Sequence, residues 1–422
     1  DRPPTIVLIL TDDLGYNDLS CYGNLEYKTP NIDRLAKEGQ KWKEFYSASH
    51  ICSPSRAAIL TGLYPVRTGT SSHVFFEWSA QGLPKNSNTI SKVLQNNDYK
   101  TYLVGKWHLG HREGYMPTDQ GFDSFYGIPY SNDMRVDPEM KVADSVYFRE
   151  GMTLAKMRAK GNKVDNWVPL MQDKAIIEYP VDQSTLTQRY TEKSIEFIKQ
   201  NKDQPFFLFL SHHLPHIPIF VSKQFENTYK DPYANAVHEI DNSLGAILTA
   251  LKEHSLDKNT VVIFTSDNGP NHTFEPTGGS AYPLKVSKFY AIEGGHKLTT
   301  IFWWPNKIKR GTIDELGSTL DFFNTFIAIS GIKSPSILPK DSYDLSPVLF
   351  KKSASPRHDF FFFSSFIPPR GNIYSVRKDD WKAHFSTSQA PDFSNPESIL
   401  KHSTPLLYNL KKDPGETQNV AN

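Results

Sequence analysis

Four short stretches of this 422-residue chain place ligand-type or cationic side chains directly after an apolar run. Asp12 and Asp13 follow "TIVLIL", and Lys106 and His108 follow "TYLVG". His212, His213 and His216 follow "PFFLFL", and Asp267 and Asn268 follow "TVVIFTS". Asp12, Asp13, Asp267 and Asn268 form a hard, oxygen-only donor set of the kind that calcium or magnesium prefers. The same residues also suit two Asx turns, in "TDDLG" and "SDNGP". The histidines of "SHHLPH" raise a zinc alternative, but Pro215 and Pro218 bar the helix that would align His212 with His216. A fifth stretch, "SHICSPSRAAILTG" (49–62), reads as a helix capped by Ser53, with Pro54 first and Gly62 last. Cys52 then sits just ahead of a helix N-terminus, where free N–H groups favour an anion, and Arg56 adds a fixed cation. A cysteine-phosphatase loop is excluded, because only three residues separate Cys52 from Arg56 and one of them is proline.

The elements around these residues explain why they should meet. "TIVLIL", "TYLVG", "PFFLFL" and "TVVIFT" have strand length, and helical patterns alternate with them at 29–39, 89–97, 185–200 and 233–254. Alternation of this kind predicts an α/β fold: a large, mainly parallel sheet with helices on both faces. Ligands of open α/β sheets bind beyond the carboxyl ends of the strands, so parallel neighbours would bring the four clusters to one edge. The stretch 112–180 reads as long loops with short elements. A helix at 319–331 precedes a Ser/Pro-rich segment, after which strands and turns predominate. The expected division is a catalytic domain at 1–345 and a smaller α+β subdomain, built on a short antiparallel sheet, at 346–422.

Composition narrows the function. With 47 basic and 46 acidic residues the net charge is +1, which argues against nucleic acid or an anionic membrane as partner. No apolar run approaches the roughly 20 residues of a membrane-spanning helix. Cys21 and Cys52 are the only cysteines, so no disulfide framework holds the fold. The opening "DRPPTIVLIL" lacks the features of a signal peptide.

These motifs together resemble the formylglycine-dependent sulfatases of the alkaline phosphatase superfamily, most of all the arylsulfatase A and N-acetylgalactosamine-6-sulfatase group. The resemblance runs through "LILTDDLGYNDLSCYG", "CSPSRAAILTGLYPVRTG", "GKWHLGH", "GFDSFYGIPYSND", "HIP" (216–218), "FTSDNGP", "EGGHK" and "LYNLKKDPGE". The C-x-P-S-R stretch matches that family's signal for converting cysteine to formylglycine (3-oxoalanine). The resemblance implies that Cys52 is converted by a formylglycine-generating enzyme and works as a hydrated aldehyde. It implies one calcium ion held by Asp12, Asp13, Asp267 and Asn268, which also contacts residue 52. It gives Arg56 the support of the nucleophile, and Lys106, Lys288 and Ser131 contacts to the sulfate. His108 would take a proton from residue 52, and His216 would protonate the leaving oxygen. Lys297 replaces the arginine that many relatives carry after "EGG-x". The low cysteine count points to a bacterial periplasmic or secreted enzyme whose signal peptide has been removed.

The expected substrate is a sulfated carbohydrate, with His73, Trp78, His111, Arg135 and Arg370 as candidate rim contacts. Two alternatives stand beside it: a formylglycine-using phosphonate or phosphodiester hydrolase, and a sulfoglycan-binding protein in which Cys52 stays a thiol. The sequon Asn271-His272-Thr273 directly follows a proposed metal ligand and is read as incidental.

Overall fold

The computed structural model describes residues 2–159, 164–272, 278–333, 338–365, 371–391 and 398–421. Arg370 and Thr273 therefore lie outside the described residues. The strands of the larger part are β1 (Thr5–Thr11), β2 (Gln40–Tyr46), β3 (Lys100–Gly105), β4 (Ser124–Gly127), β5 (Val142–Phe148) and β6 (Leu170–Gln172). They continue with β7 (Ala175–Tyr179), β8 (Phe206–Ser211), β9 (Thr260–Ser266), β10 (Lys297–Trp303) and β11 (Gly311–Ser318). In space they form one mixed sheet in the order β11-β2-β10-β9-β1-β8-β3-β4-β6-β7-β5.

The four strands expected from their apolar runs are consecutive neighbours at its centre, and all are parallel. Every residue of β1, β8 and β9 is buried, because helices cover both faces of the sheet. Helices Pro30–Glu38, Leu186–Gln200 and Pro232–Glu253 pack as one group, and Cys52–Thr61, Ile90–Gln95 and Phe322–Ser330 as another. The register levels the strand ends: Leu10 and Gly105 both pair with Ser211, and Thr11 pairs with Ser266. Gly105 has φ 113°, and a Cβ there would lie 1.8 Å from the Ser211 carbonyl oxygen, so the close approach of β3 to β8 needs glycine.

The stretch 112–180 carries more regular structure than its composition suggests. It supplies β4 to β7 and extends the sheet on one side. These strands are short or half-exposed, as in the mostly uncovered β5, and so lack the buried apolar run that marks the central ones. At the other end, β12 (Asp359–Phe363), β13 (Ile373–Lys378), β14 (Trp381–Ser388) and β15 (Ile399–Asn409) form a separate antiparallel sheet in sequence order. Phe360 and Phe362 of β12 are fully buried against Tyr46 and Tyr64 of the larger part.

Candidate active site

The levelled ends of β9, β1, β8 and β3 deliver their charged residues to one place. Asp12 and Asp13 follow β1, Lys106 follows β3, His216 lies on the loop after β8, and Asp267 and Asn268 follow β9. The helix Cys52–Thr61 points its start at them. Cys52 is its first residue, Ile51 occupies the cap position, and no side chain caps it. Ser53 is not the cap expected from the sequence. Its hydroxyl donates to the His108 carbonyl at 2.7 Å and accepts from the Phe75 N–H at 3.1 Å, tying the helix to the loop beyond β3.

The Cys52 thiol donates to Asp12 Oδ1 at 3.5 Å, and Lys288 Nζ donates to Cys52 Sγ at 3.4 Å and to Asp13 at 2.8 Å. Lys106 Nζ donates to Asp12 Oδ2 at 2.5 Å and to Ser131 Oγ at 3.2 Å. Arg56 grips Asp267 Oδ2 through Nε at 3.0 Å and Nη2 at 2.9 Å, and donates through Nη1 to Ser211 Oγ at 2.7 Å. His216 Nε2 lies 3.7 Å from Asp13 Oδ2, while its Nδ1 contacts the Ile217 carbonyl at 2.5 Å. The structure thus gathers all eleven residues singled out by the sequence, with His108 and Ser131 lining the same cavity as Cys52. Ser211 was not among them; its position as the last residue of a buried strand is the signal that marks it.

Three carboxylates (Asp12, Asp13, Asp267) face three cations (Arg56, Lys106, Lys288), all at most 3% exposed. Ionised, they cancel. Burial pushes the Asp12 carboxyl up, but Lys106, His216, Arg56 and Lys288 outweigh it and hold it well below the usual range. Burial and repulsion from Asp12 push Asp267 up to about 7, against the pull of Arg56. Burial also pushes the Cys52 thiol up despite Lys106 and Lys288, so an unmodified residue 52 is a neutral thiol and a poor nucleophile at neutral pH. Burial, with Lys106 and Arg56 nearby, holds His108 well below the ordinary imidazole range, and burial with Lys288 lowers His216. Asp13 and His108 have φ of 64° and 63°, a left-handed backbone that non-glycine residues seldom hold outside functional sites.

The donor set fits a hard divalent cation. One ligand atom each from Asp12, Asp13, Cys52 and His216 lies within 4.8 Å of the others. Asp267 joins them, since its Oδ1 accepts from the Asp13 N–H at 3.2 Å. Asn268 Nδ2 donates to Asp13 Oδ1 at 2.7 Å, and its buried Oδ1 has no partner among the described residues. A divalent cation there would leave the six-charge cluster at a net charge of about +2, which suits an anionic ester. His212 and His213 stay outside the site. Both are fully buried, and their ring nitrogens have no hydrogen-bond partner among the described residues.

A cavity of about 310 Å³ opens over Cys52. Its polar residues include His108, Ser131, His216 and Lys288, and its walls are Val74, Phe76, Met134 and Phe289. Phe76 stacks face to face on Trp78 (centroids 4.6 Å apart, 5° between planes), whose indole is 66% exposed. Of the other rim candidates, His111 is buried and paired with Asp137 at 2.7 Å, and Arg135 is paired with Asp165 at 2.6 Å.

The sequence and fold match proteins of known activity. Residues 4–332 match the sulfatase family model, and residues 355–422 match the C-terminal region of aryl-sulfatase. Human (Homo sapiens) arylsulfatase A is 36% identical over 432 residues, spanning 99% of this chain and 83% of its own length. The N-acetylgalactosamine-6-sulfatase of Mus musculus is 35% identical over 98% of this chain and 81% of its own. Among solved structures, Ps i-CgsB in complex with k-i-k-neocarrahexaose superposes with TM-score 0.82 at 28% identity, covering 100% of this chain and 89% of that one. PsFucS1 sulfatase from Pseudoalteromonas sp. also gives TM-score 0.82 at 28% identity, covering 99% and 86%. The chain belongs to the sulfatase family. It is an enzyme that hydrolyses sulfate esters.

Proposed function

We propose that this sulfatase removes sulfate from a carbohydrate, with residue 52 matured from cysteine to formylglycine by a formylglycine-generating enzyme. One calcium ion is held by Asp12, Asp13, Asp267 and Asn268 beside it. The observation that carries this reading is the buried meeting of three carboxylates, an orphaned amide oxygen and three cations around Cys52 at a helix start.

The hydrated aldehyde supplies two hydroxyls on one carbon, one to attack sulfur and one whose deprotonation frees the sulfate. The calcium ion supplies positive charge beside the sulfate oxygens. The remaining work falls to the chain's own residues. Lys106 and Lys288 meet the negative charge on the sulfuryl oxygens with preorganised donors, and Ser131, held by Lys106, adds a hydroxyl. Arg56 locks Asp267 and the strand ends in place through its four hydrogen bonds. His216 donates through Nδ1 to the Ile217 carbonyl, which leaves Nε2 toward the cavity, where the imidazolium form would hand a proton to the poor alkoxide leaving group. His108, whose ring nitrogens have no other partner among the described residues, accepts a proton from residue 52.

The carbohydrate assignment draws on the sugar substrate named for the mouse relative, on the neocarrahexaose bound by the similar structure, and on the Phe76–Trp78 stack beside the cavity. A saccharide polymer does not cross a membrane unaided, so we place the enzyme in the periplasm or outside the cell. Among the described residues no helix is long and apolar enough to cross a membrane. The test is sulfate release from a panel of sulfated mono- and oligosaccharides, run beside 4-nitrophenyl sulfate and a 4-nitrophenyl phosphodiester. Release from at least one saccharide is expected. Activity confined to the aryl sulfate overturns the carbohydrate assignment, and a faster rate on the phosphodiester overturns the preference for sulfur.

A further inference from the structure

Glu293 of "EGGHK" and Glu416 of "LYNLKKDPGE" lie 123 residues apart, and neither lines the cavity over Cys52. The fold joins them: the Glu293 N–H donates to Glu416 Oε2 at 3.3 Å. Lys382 of β14 bridges the pair, with Nζ 3.0 Å from Glu293 Oε1 and 3.1 Å from Glu416 Oε1. All three side chains are at most 2% exposed. Around them, the Tyr46 hydroxyl donates to Glu293 Oε2 at 2.5 Å, and His384 Nε2 lies 2.5 Å from Glu416 Oε1. Arg377 of β13 reaches Glu44 at 2.5 Å and also donates to the Tyr46 hydroxyl. The antiparallel sheet therefore drives buried charges into the base of one particular segment of the larger part.

That segment presents Lys288. The Gly294 N–H donates to the Lys285 carbonyl at 3.1 Å and closes a loop over 285–294. A Cβ on Gly294 would lie 2.1 Å from the Val286 carbonyl oxygen, so the closure tolerates only glycine. Within the loop, the Lys288 N–H donates to Pro270 O at 2.8 Å. Val286 and Phe289 hold φ of 51° and 72°, conformations that a β-branched or aromatic residue keeps only when its surroundings impose them. A buried ion pair is a weak source of stability compared with apolar packing, but its geometry is single-valued, which suits it to fixing a position.

We propose that Lys382 and Glu416 are positioning residues for Lys288. The C-terminal sheet holds closed the loop that carries this lysine to the reacting sulfate, and so acts on hydrolysis without touching the substrate. The inference rests on the reading that Lys288 binds sulfate oxygens.

Two measurements on the full-length, matured enzyme test it. Glu416→Gln keeps the shape of the side chain and removes the charge that faces Lys382. Hydrogen exchange followed by mass spectrometry should show the amides of 285–294 exchanging about tenfold faster in this variant, with β1 and β8 unchanged. On 4-nitrophenyl sulfate, kcat/KM should fall about tenfold when Glu416→Gln is made in the wild type, as for other residues that orient a ligand from behind. The same change should cost less than about twofold in a Lys288→Ala background. Unchanged exchange at 285–294, a uniform rise over the whole chain, or equal losses in both backgrounds would each overturn the proposal. If Lys288→Ala itself retains full activity, the sulfate role of Lys288 fails instead, and the exchange result still decides whether the sheet holds the loop. Should Glu416→Gln not fold, the Lys382→Met/Glu416→Gln double variant is read in the same way.

Discussion

Lys288 Nζ and Cys52 Sγ lie 3.4 Å apart although 236 residues separate them in the chain. A second ammonium, Lys106, reaches the same group of carboxylates through Asp12. Both lysines are buried, so neither is there to solubilise a surface. Under the proposed mechanism, each would meet the negative charge of the sulfuryl oxygens.

Replacing either lysine by alanine should therefore lower kcat/KM for 4-nitrophenyl sulfate by about 10²- to 10³-fold, the range for losing one preorganised donor to a developing anion. Circular dichroism should show the fold retained. A loss below about threefold would mean that the lysine serves packing and not the reaction.

Removing divalent metal should be as damaging. Dialysis against a calcium chelator is expected to abolish turnover and lower the melting temperature, because an ion bound only by the folded state stabilises that state. Calcium should restore both. Asp267→Asn should raise the calcium concentration needed for half-maximal activity and replace the charged oxygen that both Nε and Nη2 of Arg56 grip. Full activity after exhaustive chelation, with no metal detected by elemental analysis, would contradict the proposed ion.

Trp78 supplies a separate test of substrate class. Its indole is two-thirds exposed and rests on Phe76, a wall of the catalytic cavity. Trp78→Ala should raise KM about tenfold for a sulfated oligosaccharide, the loss of one aromatic contact of about 1.4 kcal/mol, while leaving 4-nitrophenyl sulfate within twofold. Equal effects on both substrates would show that Trp78 only props Phe76.

Glu416 predicts an acid limit to stability. Burial pushes its carboxyl up, but Lys382 and His384 outweigh it and hold it at about 2, below the ordinary 4.5. A depressed acid stabilises the fold above its unfolded pKa and loses that contribution as pH falls toward the folded one. The denaturant midpoint of the wild type should thus fall between about pH 4.5 and 2.5 more steeply than that of Glu416→Gln. Parallel slopes would contradict the coupling.

Much of this site was legible because of how buried parallel strands are built. Strands covered on both faces must be continuous apolar runs, so "TIVLIL" and "PFFLFL" announced themselves, and the charged residues just beyond each run had to share an edge. The cysteine and its helix were legible from Pro54 and Gly62, although Ser53 ties the helix to the His108 carbonyl and leaves it uncapped. Strands β5 to β7 were not legible, since the edge strand β5 is half-exposed and mixed in composition, while β6 and β7 have only 3 and 5 residues. Nor was the meeting of Glu293 with Glu416, because a hydrogen bond between distant loops leaves no periodic trace. His212 and His213 looked like ligands in the sequence, yet both are fully buried and neither joins the cluster of ligand atoms formed by Asp12, Asp13, Cys52 and His216.

The proposed mechanism requires residue 52 to be an aldehyde. The direct measurement is the mass of the peptide containing it, taken on enzyme with a range of specific activities on 4-nitrophenyl sulfate. The expected species is lighter than the cysteine peptide by about 18 Da, the difference between a thiol side chain and an aldehyde. Its fraction should rise in proportion to activity, and Cys52→Ala should be inactive. A fully active enzyme whose residue 52 is entirely thiol would contradict the account.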